Sequence, residues 1–199
     1  MQPLLETFLH EVIPHDEGMV QQLAKELNVA TYPKGTILVA QGDIADRCFF
    51  VLKGCVRAYA LDAEGNERTQ DFFTERQTVV NLISYKRHTP SECAFVCMEP
   101  CTLIVGDRVS EKQFYQQHPG LSDITRSLME DTFGAMQEAS ALFKASTPEQ
   151  RYIHLMEQRP ELLERVPKHQ LASYLGMTPE SLSRIKRRVE SDSLSDDKP

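Results

Sequence analysis

The chemistry in this chain concentrates near its C-terminal end. Glu180, Ser181, Arg184, Arg187 and Arg188 recur at i, i+1, i+4, i+7 and i+8, which puts them on one face of a helix. A guanidinium on such a face forks onto guanine O6 and N7 or onto a phosphate, and a carboxylate accepts from a cytosine amino group. Leu182, Ile185 and Val189 recur at i, i+3 and i+7 and give the same helix an inward apolar face. Just upstream, Leu171, Ala172 and Leu175 form a shorter apolar stripe, and Gly176 follows where a helix stops in a left-handed residue. Thr178 then stands at the N-cap and Pro179 at the first helical position. Two short helices around a tight turn, the second capped and basic, have the build of a helix-turn-helix. Charge agrees: residues 165–189 carry six bases against Glu180, a net of +5, on a chain of net charge −7. A basic island on an acidic body is the footprint of a polyanion site.

The rest of the chain must position that island. Its 199 residues suffice for one larger and one smaller domain. No segment approaches the roughly 20 apolar residues that span a bilayer, and MQPLLETFLHEV reads as an amphipathic helix, so the expected location is cytoplasmic, with no membrane partner. Five cysteines suit a reducing compartment. Residues 3–30 read as helical. From Thr36 to Val105 the pattern changes to short β-rich runs: Thr36–Ala40, Cys48–Leu52, Val56–Leu61, Thr69–Phe73, Thr78–Leu82, Ala94–Met98 and Thr102–Val105. Turn residues separate them, which predicts a sandwich or barrel. A short helix follows over 109–117.

Leu121 to Lys144 is the longest helical pattern. One stripe runs Leu121, Thr125, Leu128, Thr132, Ala135, Ala139, Leu142; a second runs Met129, Phe133, Met136, Ser140, Phe143. The first averages 3.5 residues per turn, the period of a coiled-coil seam, so this helix is expected to need a partner chain as well as its own β domain. Thr147, Pro148 and Gln150 supply a capping box for a helix to Gln158. The resulting division is 1–118 β domain, 119–146 long helix, 147–190 helix-turn-helix domain and 191–199 a disordered acidic tail.

The run Pro33–Glu67 resembles the β-roll of the Crp/Fnr family of transcriptional regulators. The family's turn and strand pattern stands here as Lys34-Gly35, Gly42-Asp43, Phe50-Val51-Leu52, Gly54 and Glu64-Gly65. Residues 166–189 are similar to the family's DNA-binding helices, so the resemblance spans nearly the whole chain. It implies an α+β protein: an N-terminal double-stranded β-helix (β-roll) sensor like a cyclic nucleotide-binding domain, a long dimerisation helix and a small C-terminal helix-turn-helix domain. It also implies a homodimer on a palindromic operator in double-stranded DNA, with RNA polymerase and a small-molecule effector as further partners. Leu121, Leu128, Ala135, Ala139 and Leu142 are the dimer residues this implies. In the family the small domains rotate about a hinge, which falls here at Ala145–Pro148. The base-reading positions fall on Pro179, Glu180 and Arg184. Lys168, Thr178, Ser181, Arg187 and Arg188 are the phosphate candidates. Pro179 replaces an arginine of the family's best-known pattern, so the operator is expected to differ. The β-wings that flank the motif in many members are expected to be missing.

Family members that bind cyclic nucleotides use a Gly-Glu-Leu and an Arg-Ser-Ala segment. Here those positions hold Asn81 and Leu82, then Glu92, Cys93 and Ala94. A phosphate would meet Glu92 in place of arginine, so attraction turns to repulsion and cyclic AMP is not the expected effector. Cys93, Cys97 and Cys101 follow C-x3-C-x3-C, but residues 1–47 lack the cysteine group that holds the family's iron–sulfur clusters, and no metal or cofactor is expected. No HxH, GxSxG or P-loop sequence occurs, so the chain is not expected to be an enzyme. The rival expectation is a ligand- or protein-binding β-roll whose DNA-binding domain is vestigial.

Overall fold

Turn residues cut the first hundred residues into strands too short to stand alone, and these close over one another as two sheets. The computed structural model describes residues 2–196. Helices α1 (Gln2–Val12) and α2 (Glu17–Glu26) lead in, the second capped by the Asp16 carboxylate, which accepts from the Met19 amide at 2.9 Å. Strands β1 (Val29–Tyr32), β2 (Ile37–Val39), β3 (Arg47–Lys53), β4 (Val56–Leu61), β5 (Glu67–Phe73) and β6 (Thr78–Val79) follow. Then come α3 (Leu82–Arg87), β7 (Ala94–Cys97), β8 (Cys101–Asp107) and α4 (Arg108–Gln117). The sheet orders are β1-β8-β3-β6 and β2-β7-β4-β5, all pairs antiparallel. Their inner faces bury Phe49, Val51, Val56, Ala58, Phe73, Val79, Phe95 and Leu103 as one core.

Gly54 makes the corner between β3 and β4. Its φ is 113°, and a Cβ there would lie 2.6 Å from Cys101 Sγ, so the position excludes every side chain.

Helix α5 (Leu121–Ala145) leaves this β-roll, and α6 (Pro148–Gln158), α7 (Glu161–Arg165), α8 (Lys168–Tyr174) and α9 (Pro179–Asp196) form the small domain. Thr147 and Gln150 make the reciprocal capping box of α6. Among the described residues no strand follows Asp107, so no β-wing flanks α8 or α9.

The small domain sits on the outer face of the sheet β2-β7-β4-β5. Cys55, Phe72 and Met98 share one buried cluster with Tyr152, Leu155, Leu162, Val166, Leu171 and Leu182. Cys55, Val56, Arg57 and Ala58 are all buried in succession, the mark of a strand covered on both faces. β5 is an edge strand, and α8 covers it: the Thr69 amide donates to Ser173 Oγ at 3.0 Å, and Tyr174 sets its ring against Phe72 at 5.4 Å.

Four expectations need correction. Residues 3–30 are not helical throughout, since Pro14 breaks the helix and Val29–Tyr32, β-branched and aromatic, pairs with β8. Thr78–Leu82 is a strand only to Val79, because Asn81 caps a helix, its Oδ1 accepting from the Ser84 amide at 3.1 Å. Residues 191–196 are helical rather than disordered: no Gly or Pro stands between Pro179 and Pro199 to end α9. Residues 197–199 lie outside the described residues. Leu121, expected on the dimer face, is instead buried in its own chain with Leu5, Leu9, Val20 and Leu23.

Candidate nucleic-acid interface

The turn between α8 and α9 is built by local chemistry. Met177 N–H donates to Ala172 O at 2.9 Å and Gly176 N–H to Ser173 O at 3.1 Å, the paired bonds of a Schellman stop. Gly176 takes φ 69°, and a Cβ there would press on the Arg151 guanidinium and the Phe143 ring at 3.0 Å. Thr178 Oγ1 accepts from the Ser181 amide at 3.2 Å, and Pro179 opens α9 half-buried. Leu182 and Ile185 are buried against Leu171, Ala172 and Leu175, with Val189 packed beside them. That fixes the rotation of α9 and turns Glu180, Arg184, Lys186, Arg187 and Arg188 to solvent, with Lys168 exposed at the start of α8.

The exposed groups are not equivalent. Arg184 Nη2 donates to Ser181 Oγ at 3.3 Å, which leaves most of its fork outward. Arg188 grips Glu149 of α6 with Nε at 2.7 Å and Nη2 at 2.5 Å, so its charge is met within the chain. Glu180 is held below the usual carboxylate range by its own backbone N–H and the Thr178 hydroxyl, with Lys168 and Arg184 adding to this. It is an ionised, acceptor-only group at neutral pH. Nothing in the small domain's seat on the β-roll covers these side chains.

Helix α5 gives the opposite picture of its own apolar side. Beyond Leu121 every side chain is at least partly exposed: Phe133 at 61%, Met136 at 49%, Phe143 at 39% and Leu142 at 36%. Leu128 is half-exposed, and Ala135 and Ala139 are exposed. Neither stripe is buried on the β-roll, contrary to the expectation that one would be. At its C-terminal end α5 meets the small domain, with the Arg151 guanidinium 3.7 Å over the Phe143 ring and Arg151 Nη1 donating to Leu175 O at 3.0 Å.

The effector positions form a network closed on itself. Asn81 Nδ2 donates to Ser91 Oγ at 3.0 Å, and Ser91 Oγ donates to Cys93 O at 2.6 Å. Ser84 Oγ accepts from the Ala45 amide at 2.8 Å and donates to Thr89 O at 2.6 Å. Ser84, Ser91, Cys93 and Ala94 are buried, whereas Leu82 and Glu92 face solvent. Lys86 and Arg87 are exposed and take no part in this network. At the position of the family's arginine an anion would meet the Glu92 carboxylate, and the Asn81, Ser84 and Ser91 side chains are already engaged with one another and with the backbone.

The cysteines are packed. Burial pushes the Cys55 thiol up to about 12. A thiol–thiol hydrogen bond with Cys101 and burial push Cys97 far up, and burial raises Cys93. Cys101 shifts down through its bond to Cys97, and its Sγ donates to Cys55 O at 3.4 Å. Among the described residues no group of three or more His, Cys, Asp or Glu could hold a metal ion, and no helix is long and apolar enough to cross a membrane.

Sequence reasoning missed the residues that seat the small domain. Arg159 donates to the Phe72 carbonyl at 2.8 Å and pairs with Asp71 at 3.4 Å. Arg165 forks onto Glu75 at 2.9 and 3.0 Å and reaches Glu99 at 2.5 Å. Glu75 in turn accepts from the Gly54 amide at 2.8 Å. The available signals were Phe72-Phe73 at the end of β5 and Cys55-Val56 at the start of β4, adjacent apolar residues that a strand covered on one face alone would not need.

Residues 29–118 match the family model described as the cyclic nucleotide-binding domain. The global regulator CLP of Xanthomonas campestris, described as c-di-GMP responsive, superposes with a TM-score of 0.69 at 18% identity, over 90% of this chain and 94% of that one. FixK2 from Bradyrhizobium japonicum gives 0.68 at 16% identity, over 84% and 86%. The catabolite activator protein of Thermus thermophilus gives 0.50 at 19% identity, over 90% and 88%. No curated protein matches the sequence. Residues 29–118 thus have the β-roll fold of that domain, and the long helix and small helical domain that follow give the chain the architecture seen in the FixK2 and CLP structures.

Proposed function

We propose that this chain is a Crp/Fnr regulator that binds double-stranded DNA in a sequence-specific way as a homodimer, without cyclic AMP. The observation that carries this is the capped, inwardly packed helix α9, whose outward face holds Glu180, Arg184 and Arg187 exposed on a chain of net charge −7. The N-terminal turns of α9 enter the major groove, Arg184 forks onto guanine, and Glu180 accepts from a cytosine amino group. Lys168, Thr178, Ser181 and Arg187 hold phosphates. Arg188 contributes less, because Glu149 already meets its charge. Pro179 presents no donor to a base, so this operator lacks one contact of the family's best-known pattern.

A second copy supplies the cover for Leu128, Phe133, Met136 and Leu142 on α5. Two protomers then place two α9 helices on one face of the duplex, so the operator is an inverted repeat. The network of Asn81, Ser84 and Ser91, with Glu92 in place of the family's arginine, favours reading the β-roll as a support rather than a cyclic nucleotide receptor.

The test is enrichment of a randomised duplex pool on the purified chain, with no ligand added. Recovery of an inverted repeat supports the reading. No enrichment at low salt, with or without cyclic AMP, overturns it and leaves the β-roll as a binding module with a vestigial reader.

A further inference from the structure

We infer that the outer face of the sheet β2-β7-β4-β5 is a fixed seat for the DNA-reading domain, and that Arg159 and Arg165 are the positioning residues that hold it there. The inference rests on the regulator reading and adds how that regulator sets the spacing of its two recognition helices.

Each arginine reaches from the small domain to a different part of the β-roll. Arg159, at the end of α6, holds β5 through the Phe72 carbonyl and Asp71. Arg165, at the end of α7, holds the β5–β6 turn through both oxygens of Glu75 and the β7–β8 turn through Glu99. Arg165 forks onto one carboxylate, which fixes angle as well as distance, and Arg159 bridges a carbonyl and a carboxylate of β5, so the two leave the small domain little freedom to rotate. Between them the apolar cluster of Cys55, Phe72, Met98, Leu162 and Val166 fills the contact, and the Thr69–Ser173 bond closes its edge. α9 turns Leu182 and Ile185 into the shared cluster and its basic face to solvent, so the seat orients the reader and does not cover it. A hinge at Ala145–Pro148 is therefore not free to move: rotation there must first break both arginine contacts.

The experiment uses the full chain and two variants, Arg159→Met/Arg165→Met and, should that pair fail to fold, Glu75→Gln/Glu99→Gln. Two quantities are read: hydrogen exchange of the Thr69 amide, and affinity for the enriched inverted repeat against repeats with one base pair added or removed. In the wild type the Thr69 amide is protected and the native spacing is preferred by about tenfold, the cost of one poorly met contact set. In the variants Thr69 exchange rises about tenfold or more while β8 amides stay protected, and the spacing preference falls to about twofold. Folded variants that keep both wild-type values overturn the inference. So does a variant whose seat opens while its spacing preference stays. If the wild type enriches no repeat, the regulator reading fails, and Thr69 exchange alone then decides whether the arginines hold the seat.

Discussion

Arg184 and Arg187 lie on one face of α9 and are expected to fail differently when removed. Arg184→Ala removes a base contact and costs about 1–3 kcal/mol, with relaxed preference at one position of the repeat. Arg187→Ala weakens all sequences alike and lowers the salt slope by about two for a dimer, one phosphate contact per protomer. Binding isotherms on the operator and on a scrambled duplex at several salt concentrations separate the two. Two carboxylates of the seat, Asp71 and Glu75, also differ. Burial pushes Asp71 up, and Arg159 and the Phe72 amide only partly offset it. The folded chain therefore binds that proton more tightly than the unfolded one, so Asp71 weakens the fold above its folded pKa and this cost fades as pH falls. Asp71→Asn is expected to be nearly neutral or stabilising at pH 7, with the advantage shrinking toward pH 5 in thermal melts. Arg159→Ala leaves the Asp71 carboxylate without its cation and costs about 1–3 kcal/mol. For Glu75, burial works against the charge, but Arg165 and the Gly54 amide outweigh it and hold the group below the usual range. Its contribution is present at neutral pH and is lost on acidification, the opposite sign to Asp71.

At the scale of elements, the helix-turn-helix was legible because every signal for it is local: the Gly176 stop, the Thr178 cap, Pro179 at the start and a stripe of Leu182, Ile185 and Val189. The strand series was legible for the same reason, since turn residues punctuate it. Helix α3 and strand β1 were harder. Asn81 reads equally as a turn residue and as a cap, and only its bond to the Ser84 amide decides. VATY carries a strand signal that the preceding amphipathic helices overshadowed. The seat left almost no trace, because its ion pairs join Asp71 to Arg159 and Glu75 to Arg165 across long sequence separations. The Gly54 corner supplies a test of element geometry. Gly54→Ala places a methyl against Cys101 Sγ at positive φ, and a loss of about 2 kcal/mol or more is expected in denaturant unfolding. On α5, Phe133→Gln/Met136→Gln is expected to shift the sedimentation velocity of the chain from dimer to monomer without unfolding the β-roll, because both side chains are exposed within one chain.

For the whole molecule, the effector positions of the β-roll are hydrogen-bonded to one another, the small domain is seated on the outer sheet, and α5 keeps Phe133, Met136, Leu142 and Phe143 exposed. Hydrophobic period and turn spacing gave the elements and a sandwich or barrel; the β-roll, long helix and small helical domain came from the resemblance to the Crp/Fnr family. The effector question turned on what Asn81, Ser84 and Ser91 do together, which no linear pattern states. The central claim is DNA binding without a cyclic nucleotide. It is tested most directly by titrating the enriched inverted repeat with the wild-type chain, with and without cyclic AMP, across a range of salt. The account predicts saturable binding in the absence of ligand, an affinity that falls steeply with salt, and superimposable isotherms when cyclic AMP is added. No binding without cyclic AMP, or none at low salt under either condition, would contradict it.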